Sequence, residues 1–186
     1  TFAINSRQLN VTGSRVYDNT TTVNGSDLAI TTGVGSEIIT LSGQGSVTDA
    51  NVGSNKTVTQ NTLNLVSANG SATNYTMGTI SLSITKRPVD LSIEKIYDGT
   101  LDAPASGLQS NGISNTVGGQ TLTLSGTGQM QNKNVGVGKN ITSIGTLALG
   151  NGSGSASNYT LDGGNHSIDV TCLLYTSPSP RDSIRS

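Results

Sequence analysis

A chain of 186 residues with 32 % hydrophobic and 3 % aromatic side chains, one Phe and no Trp, has material for only a thin aliphatic core, in one domain or two small ones. Charged residues are 11 % and the formal net charge is -1, which excludes the basic footprint of a nucleic-acid binder and a polybasic membrane patch. Polarity comes from Ser, Thr, Asn and Gly, a composition that suits turn-rich secreted β proteins and carries too many β-branched residues for a disordered chain.

The chain opens at Thr1 without an initiator Met or a charged-then-apolar leader, so the true N-terminus is expected upstream. No apolar run approaches the roughly 20 residues of a spanning helix. Taken in order, the first recognisable blocks are Tyr17-Asp18-Asn19-Thr20, the Gly33-Val34-Gly35 turn, Leu41-Ser42-Gly43-Gln44-Gly45, Asn51-Val52-Gly53 with Lys56, and Ser71-Ala72-Thr73-Asn74-Tyr75-Thr76 after the Asn69-Gly70 turn. Ile80, Leu82 and Ile84 then alternate with Ser81, Ser83 and Thr85, the period-two pattern of a strand with one buried face. Pro88 stiffens a short junction at Thr85-Lys86-Arg87-Pro88, and alternation resumes with Val89, Leu91 and Ile93.

Beyond that junction the same blocks return. Tyr97-Asp98-Gly99-Thr100 follows its counterpart at an offset of 80, Leu124-Ser125-Gly126-Thr127-Gly128 and Asn134-Val135-Gly136 with Lys139 at 83, and Ser155-Ala156-Ser157-Asn158-Tyr159-Thr160 at 84. Four blocks in order with so small a drift are an internal duplication with minor loop insertions. Leu122 and Leu124, then Leu147 and Leu149, continue the alternation, punctuated by Asn111-Gly112, Gly118-Gly119 and Asn151-Gly152. The pattern predicts an all-β chain of two tandem small β-sandwich (Ig-like) modules, over 4–86 and 87–171, standing in a row. A β-solenoid is the rival, but its coils repeat at roughly 20–30 residues and no such period is present. The segment Cys172–Asp182 resembles the translation of a transposase-type sequencing adapter, so residues 172–186 are expected to be a non-native tail with no part in folding. Without them the chain has no Cys, which excludes a disulfide framework and a thiolate metal site.

Lys95-Ile96-Tyr97-Asp98-Gly99-Thr100, with the lead-in Ile84–Val89 and the downstream stretches Asn132–Lys139 and Ala156–Leu161, resembles the YDG-type repeat. The first copy departs from that pattern at Asn19, where the family has Gly, and weakens at Thr48-Asp49-Ala50. The resemblance implies a β-rich repeat of large exported bacterial adhesins, filamentous-haemagglutinin-like proteins of two-partner secretion systems, at the cell surface and associated with the outer membrane. It implies no chemistry, no catalytic or metal residues and no cofactor. Read from the residues, Tyr17-Asp18-Asn19 and Tyr97-Asp98-Gly99 are structural turns. Tyr97 is expected to bury its ring, Asp98 to accept backbone N–H bonds, and Gly99, like Asn19, to take a positive φ. The competing reading makes Asp18 and Asp98 ligands of a cation or glycan.

Other constellations point to no enzyme. Gly136-Val137-Gly138-Lys139 lacks the spacing and following helix of a phosphate loop. His166 is the sole His, and Asp49 with Asn51 is too sparse for an EF-hand. Glu37 and Glu94, the only Glu residues, occupy non-equivalent places in the two copies with respect to a paired-carboxylate site. Sequons at Asn10, Asn24, Asn55, Asn140 and Asn158 follow from composition. The expected function is a spacer whose partners are neighbouring repeats of the same polypeptide, with no nucleic acid and no membrane insertion. The alternative is an adhesive module for a host glycan or surface protein, which usually needs exposed aromatics.

Overall fold

The computed structural model describes residues 4–30 and 34–172. The expectation for the tail therefore lies outside the described residues from 173 onward, as does Gly33 of the predicted turn.

The first half runs β1 (Arg7–Val16), β2 (Thr22–Asn24), β3 (Leu28–Ile30), β4 (Ile38–Ser42), β5 (Gln44–Ser46), β6 (Gly53–Thr57), β7 (Asn64–Asn69) and β8 (Tyr75–Thr85). The second runs β9 (Arg87–Pro88), β10 (Asp90–Ile96), β11 (Asp102–Pro104), β12 (Leu108–Ser114), β13 (Leu122–Ser125), β14 (Thr127–Met130), β15 (Gly136–Ser143), β16 (Ala148–Asn151), β17 (Tyr159–Thr160) and β18 (His166–Thr171). Single 3-10 turns recur at matching places, Gly25–Asp27 with Ala105–Gly107 and Ala72–Asn74 with Ala156–Asn158, and no α-helix occurs among the described residues. The all-β expectation holds.

Both halves share one topology. The first sheet has the order β3-β1-β8-β6, and the second β12-β10-β18-β15-β14-β11, which repeats it and adds two strands. Where β14 joins β15, the first half has only a bridge between Ser46 and Thr59, with N–H···O distances of 3.0 and 2.8 Å. At the centre of each sheet the first and last strands pair in parallel. Arg7–Val16 lies along Tyr75–Thr85, and Leu91–Ile96 along His166–Thr171. The partners are about 70 residues apart, so the sheet closes each half on itself instead of coiling onward as a solenoid does. The immunoglobulin comparison carries less far than the all-β one, because that sandwich is built from antiparallel sheets.

The antiparallel ribbons β4-β7 and β13-β16 complete each half, with Leu41, Leu124 and Leu149 packed against the same core as Val11 and Leu82 of the central strands. The sequence alternation lands as read: Ile80, Leu82 and Ile84 are buried, as are Val89, Leu91 and Ile93. The next inward position on β10 is Lys95, a charge on the buried face at 8 % exposure.

The repeated Leu-Ser-Gly-x-Gly block has a steric cause. Gly43 and Gly126 have φ of 84° and 86°, and a Cβ on either would stand 2.1 Å from the carbonyl oxygen of Thr62 or Thr146. The second glycines, Gly45 and Gly128, leave room for Leu63 and Leu147, whose side chains would meet a Cβ at 2.7 and 2.8 Å. Gly126→Ala should therefore destabilise the second half by more than the roughly 1–2 kcal/mol of a left-handed backbone alone, because the Thr146 carbonyl must also move. A denaturant melt checks this; a change under about 0.5 kcal/mol would mean the turn relaxes freely.

Candidate functional site: the repeated turn and the joint between halves

In each half the first central strand ends in the Tyr-Asp turn, beside the point where the last strand leaves. Tyr17 N–H donates to Thr85 O at 2.9 Å, and Tyr97 N–H to Thr171 O at 2.7 Å. One Asp oxygen organises each turn. Asp18 Oδ1 accepts the Thr20 N–H and hydroxyl, both at 2.9 Å, and Asp98 Oδ1 accepts the same pair from Thr100 at 2.9 Å. Asn19 and Gly99, with φ of 61° and 77°, make the left-handed step.

The inside of the turn is already filled by a cation of the protein. Lys95 reaches in from β10, its Nζ 2.7 Å from Asp98 Oδ1, 3.0 Å from Thr100 Oγ1 and 2.8 Å from Asp102 O. Arg15 takes the matching place in the first half, donating to the Thr20 and Thr22 carbonyls with Asp18 and Asp27 at 3.5 and 3.7 Å. Burying a charge is costly unless it is paired and hydrogen-bonded, and the turn supplies those partners. The Lys95 ammonium, followed by the Thr100 N–H and hydroxyl, holds the Asp98 carboxyl down at about 2. With these donors in place the Asp oxygens face a resident ammonium or guanidinium, which weighs against the cation-ligand reading. Among the described residues no group of three or more His, Cys, Asp or Glu is arranged to hold a metal ion.

The other repeated lysines act likewise. Lys56 Nζ bonds Asp49 Oδ1 at 2.6 Å and Asn51 O at 2.9 Å, which lowers the Asp49 carboxyl, and Lys139 Nζ bonds the carbonyls of Asn132 and Asn134. Lys139 thus closes its own loop. Of the concavities, one of about 460 Å³ is lined by Glu94, Lys95 and Ser106 with Ile96, Pro104 and Leu108. Its Lys95 ammonium points into the turn. Another, about 470 Å³, includes Asn140, Asn165 and His166, whose Nε2 lies 2.7 Å from Leu161 O.

The two Tyr residues of the turns differ. Tyr17 is 2 % exposed, but Tyr97 is 45 % exposed. The expected burial of Tyr97 in a module core is thus not found, and the reason is what lies against each ring. Tyr17 packs edge-on against Tyr159 of the second half, with centroids 5.4 Å apart and planes at 79°. Gln120 bridges the two: Tyr159 donates its hydroxyl to Oε1 at 2.6 Å, and Nε2 donates to the Tyr17 hydroxyl at 3.3 Å. The Tyr159 hydroxyl also accepts the Val117 N–H at 3.1 Å, and burial pushes its pKa up. Beside them Asn158, 2 % exposed, accepts the Val52 N–H at 3.0 Å and donates to Asn51 Oδ1 at 2.9 Å. The core cluster runs through this joint, joining Tyr17 and Ile84 to Val89, Leu122 and Tyr159.

Sequence reasoning singled out the tyrosines but missed Gln120 and the Asn51–Asn158 pair. The signal was present at an offset of 83, where Glu37 matches Gln120: Tyr75 donates its hydroxyl to Glu37 as Tyr159 does to Gln120.

Two outcomes follow. Tyr17→Ala should cost about 3–5 kcal/mol, the usual loss for a buried aromatic, whereas Tyr97→Ala should cost under about 1 kcal/mol; urea melts of both variants decide it, and equal losses would refute the asymmetry. Asp98 has a folded-state pKa below its ordinary 3.8, so its contribution is complete above about pH 4 and lost as pH falls toward about 2. Asp98→Asn should flatten stability against pH across that window, and an unchanged acid limb would show that the ion pair contributes nothing, since its carboxylate is half exposed.

The stretches 5–84 and 81–167 each match the family model of the YDG domain. No curated protein and no solved structure matches the chain. With two consecutive matches covering most of its length, the chain belongs to the YDG domain family.

Proposed function

We propose that the chain is a pair of spacer modules from a secreted or surface-displayed bacterial adhesin, set in series to hold another part of the polypeptide away from the cell. The observation that carries this reading is the parallel pairing of first and last strands. Because both strands run the same way, the chain enters a module at one end and leaves at the opposite end. Each repeat then advances the polypeptide by about the length of its central strand, roughly 30 Å for ten residues. Antiparallel closure would return the chain to its starting end and add bulk without reach.

The turn chemistry supports the same reading, since its Asp, Thr and basic groups bond to one another. A sugar-binding face would call for exposed aromatics, and among the described residues Tyr97 is the one aromatic that stands out from the surface. Export and a place at the bacterial surface rest on the family resemblance and on the Ser-, Thr- and Asn-rich composition.

Two measurements on the chain test the proposal. Small-angle scattering should give a maximum dimension of about 70 Å for end-to-end modules, against about 40 Å for a compact globule of this length. A glycan array and a host-cell binding assay should read at background. Specific binding lost in Tyr97→Ala with the fold intact would move the function to the adhesive alternative.

A further inference from the structure

We propose that the exposed Tyr97 end of the second half is a docking surface for the Asn-Tyr end of a further module of the same kind, repeating the joint already formed around Tyr17. This deepens the spacer reading and rests on it.

Three residues at the existing joint, Tyr17, Val52 and Asn158, are more buried than their counterparts in the other half, while Tyr159 and Gln120 match theirs, Tyr75 and Glu37, in burial. Tyr17 is 2 % exposed and its counterpart Tyr97 is 45 % exposed. Val52, whose N–H meets Asn158, is half-buried, while its counterpart Val135 is 53 % exposed. On the facing side Asn158 is 2 % exposed, and its counterpart Asn74 lies exposed at the far end of the first half. The backbone that presents the tyrosine is the same in both halves, as the Tyr17–Thr85 and Tyr97–Thr171 hydrogen bonds show. So the second half offers the giving side of the joint, and the first half offers the receiving side.

The receiving side is chemically complete. Glu37 already accepts from Tyr75, and a carboxylate keeps acceptor capacity for a second hydroxyl where Gln120 uses its amide. The two faces are different surfaces, so the contact is head-to-tail and does not close on itself; repeated, it builds an open row.

The test is a three-module chain in which residues 86–171 are repeated directly after Thr171. Amide exchange is followed at Val52, an internal standard for the formed joint, and at Val135. In the parent chain Val52 should exchange slowly and Val135 quickly. In the longer chain Val135 should slow by about tenfold, the scale of one hydrogen bond made in a docked joint, and Tyr97 should become resistant to nitration. Asn158→Ala placed only in the added copy should restore fast exchange at Val135 without unfolding that copy, because both side-chain bonds of Asn158 cross the joint. The same change in the parent chain should speed Val52, a control that does not depend on the added module. Unchanged exchange at Val135 while Val52 stays protected overturns the proposal. Failure of the spacer reading is a separate result, glycan or host-cell binding by the parent chain, and leaves the exchange measurement to be judged by itself.

Discussion

The parallel pairing of the first strand with the last is the constraint on which the rest of each half depends. It joins segments about 70 residues apart, a long-range pairing whose closure entropy is met by the packing of the strands between. It also puts the end of the first strand beside the end of the last. That neighbourhood is where the Tyr-Asp turn lies, tied by the Tyr N–H to the residue with which the chain departs. The position of the motif at a module's outgoing end is thus a consequence of topology.

A second constraint sits on the inward face of that strand. The alternation Val89, Leu91, Ile93 leads to Lys95, and the matching residue is Arg15. A long basic side chain brings apolar stem to the core edge but needs oxygen at its tip. The turn meets that need with the Asp98 carboxylate, the Asp102 carbonyl and the Thr100 hydroxyl, and the Thr100 N–H and hydroxyl also hold the same carboxylate oxygen. Asp-Gly-Thr is therefore better understood as a lid over a buried cation than as a generic loop. The difference between the halves fits this: the guanidinium of Arg15 reaches two carbonyls and lies farther from Asp18, while the shorter reach of Lys95 centres on Asp98.

Much of this was legible in the residues. The duplication, the strand faces, the Asp-centred turn and the left-handed Asn19 and Gly99 follow from spacing and local stereochemistry. The direction of strand pairing was not legible, because a period of two reports which face is buried and is silent on whether a neighbour runs up or down. Nor was the fate of Tyr97. Tyr17 and Tyr97 sit in nearly the same local sequence, and only the module packed beyond one of them makes the difference. Gln120 escaped notice because a single amide in a polar loop has no pattern of its own; its role appears when Glu37 is set beside it.

Shared burial at the joint has an energetic meaning for a chain of such modules. When a repeat buries its terminal tyrosine only against the next repeat, its stability is partly a property of the pair, and nearest-neighbour terms add to the intrinsic ones. The short Thr85–Pro88 link is joined by the Tyr17–Gln120–Tyr159 contacts and, through the neighbouring Asn158, by the Asn51–Asn158 pair. A joint that adds directed hydrogen bonds to a continuous aliphatic core suits halves with few large apolar residues to spare. It gains specificity from directed hydrogen bonds around one aromatic contact, and at the Tyr97 end of the second half Ile96, Tyr97 and Val135 are exposed together.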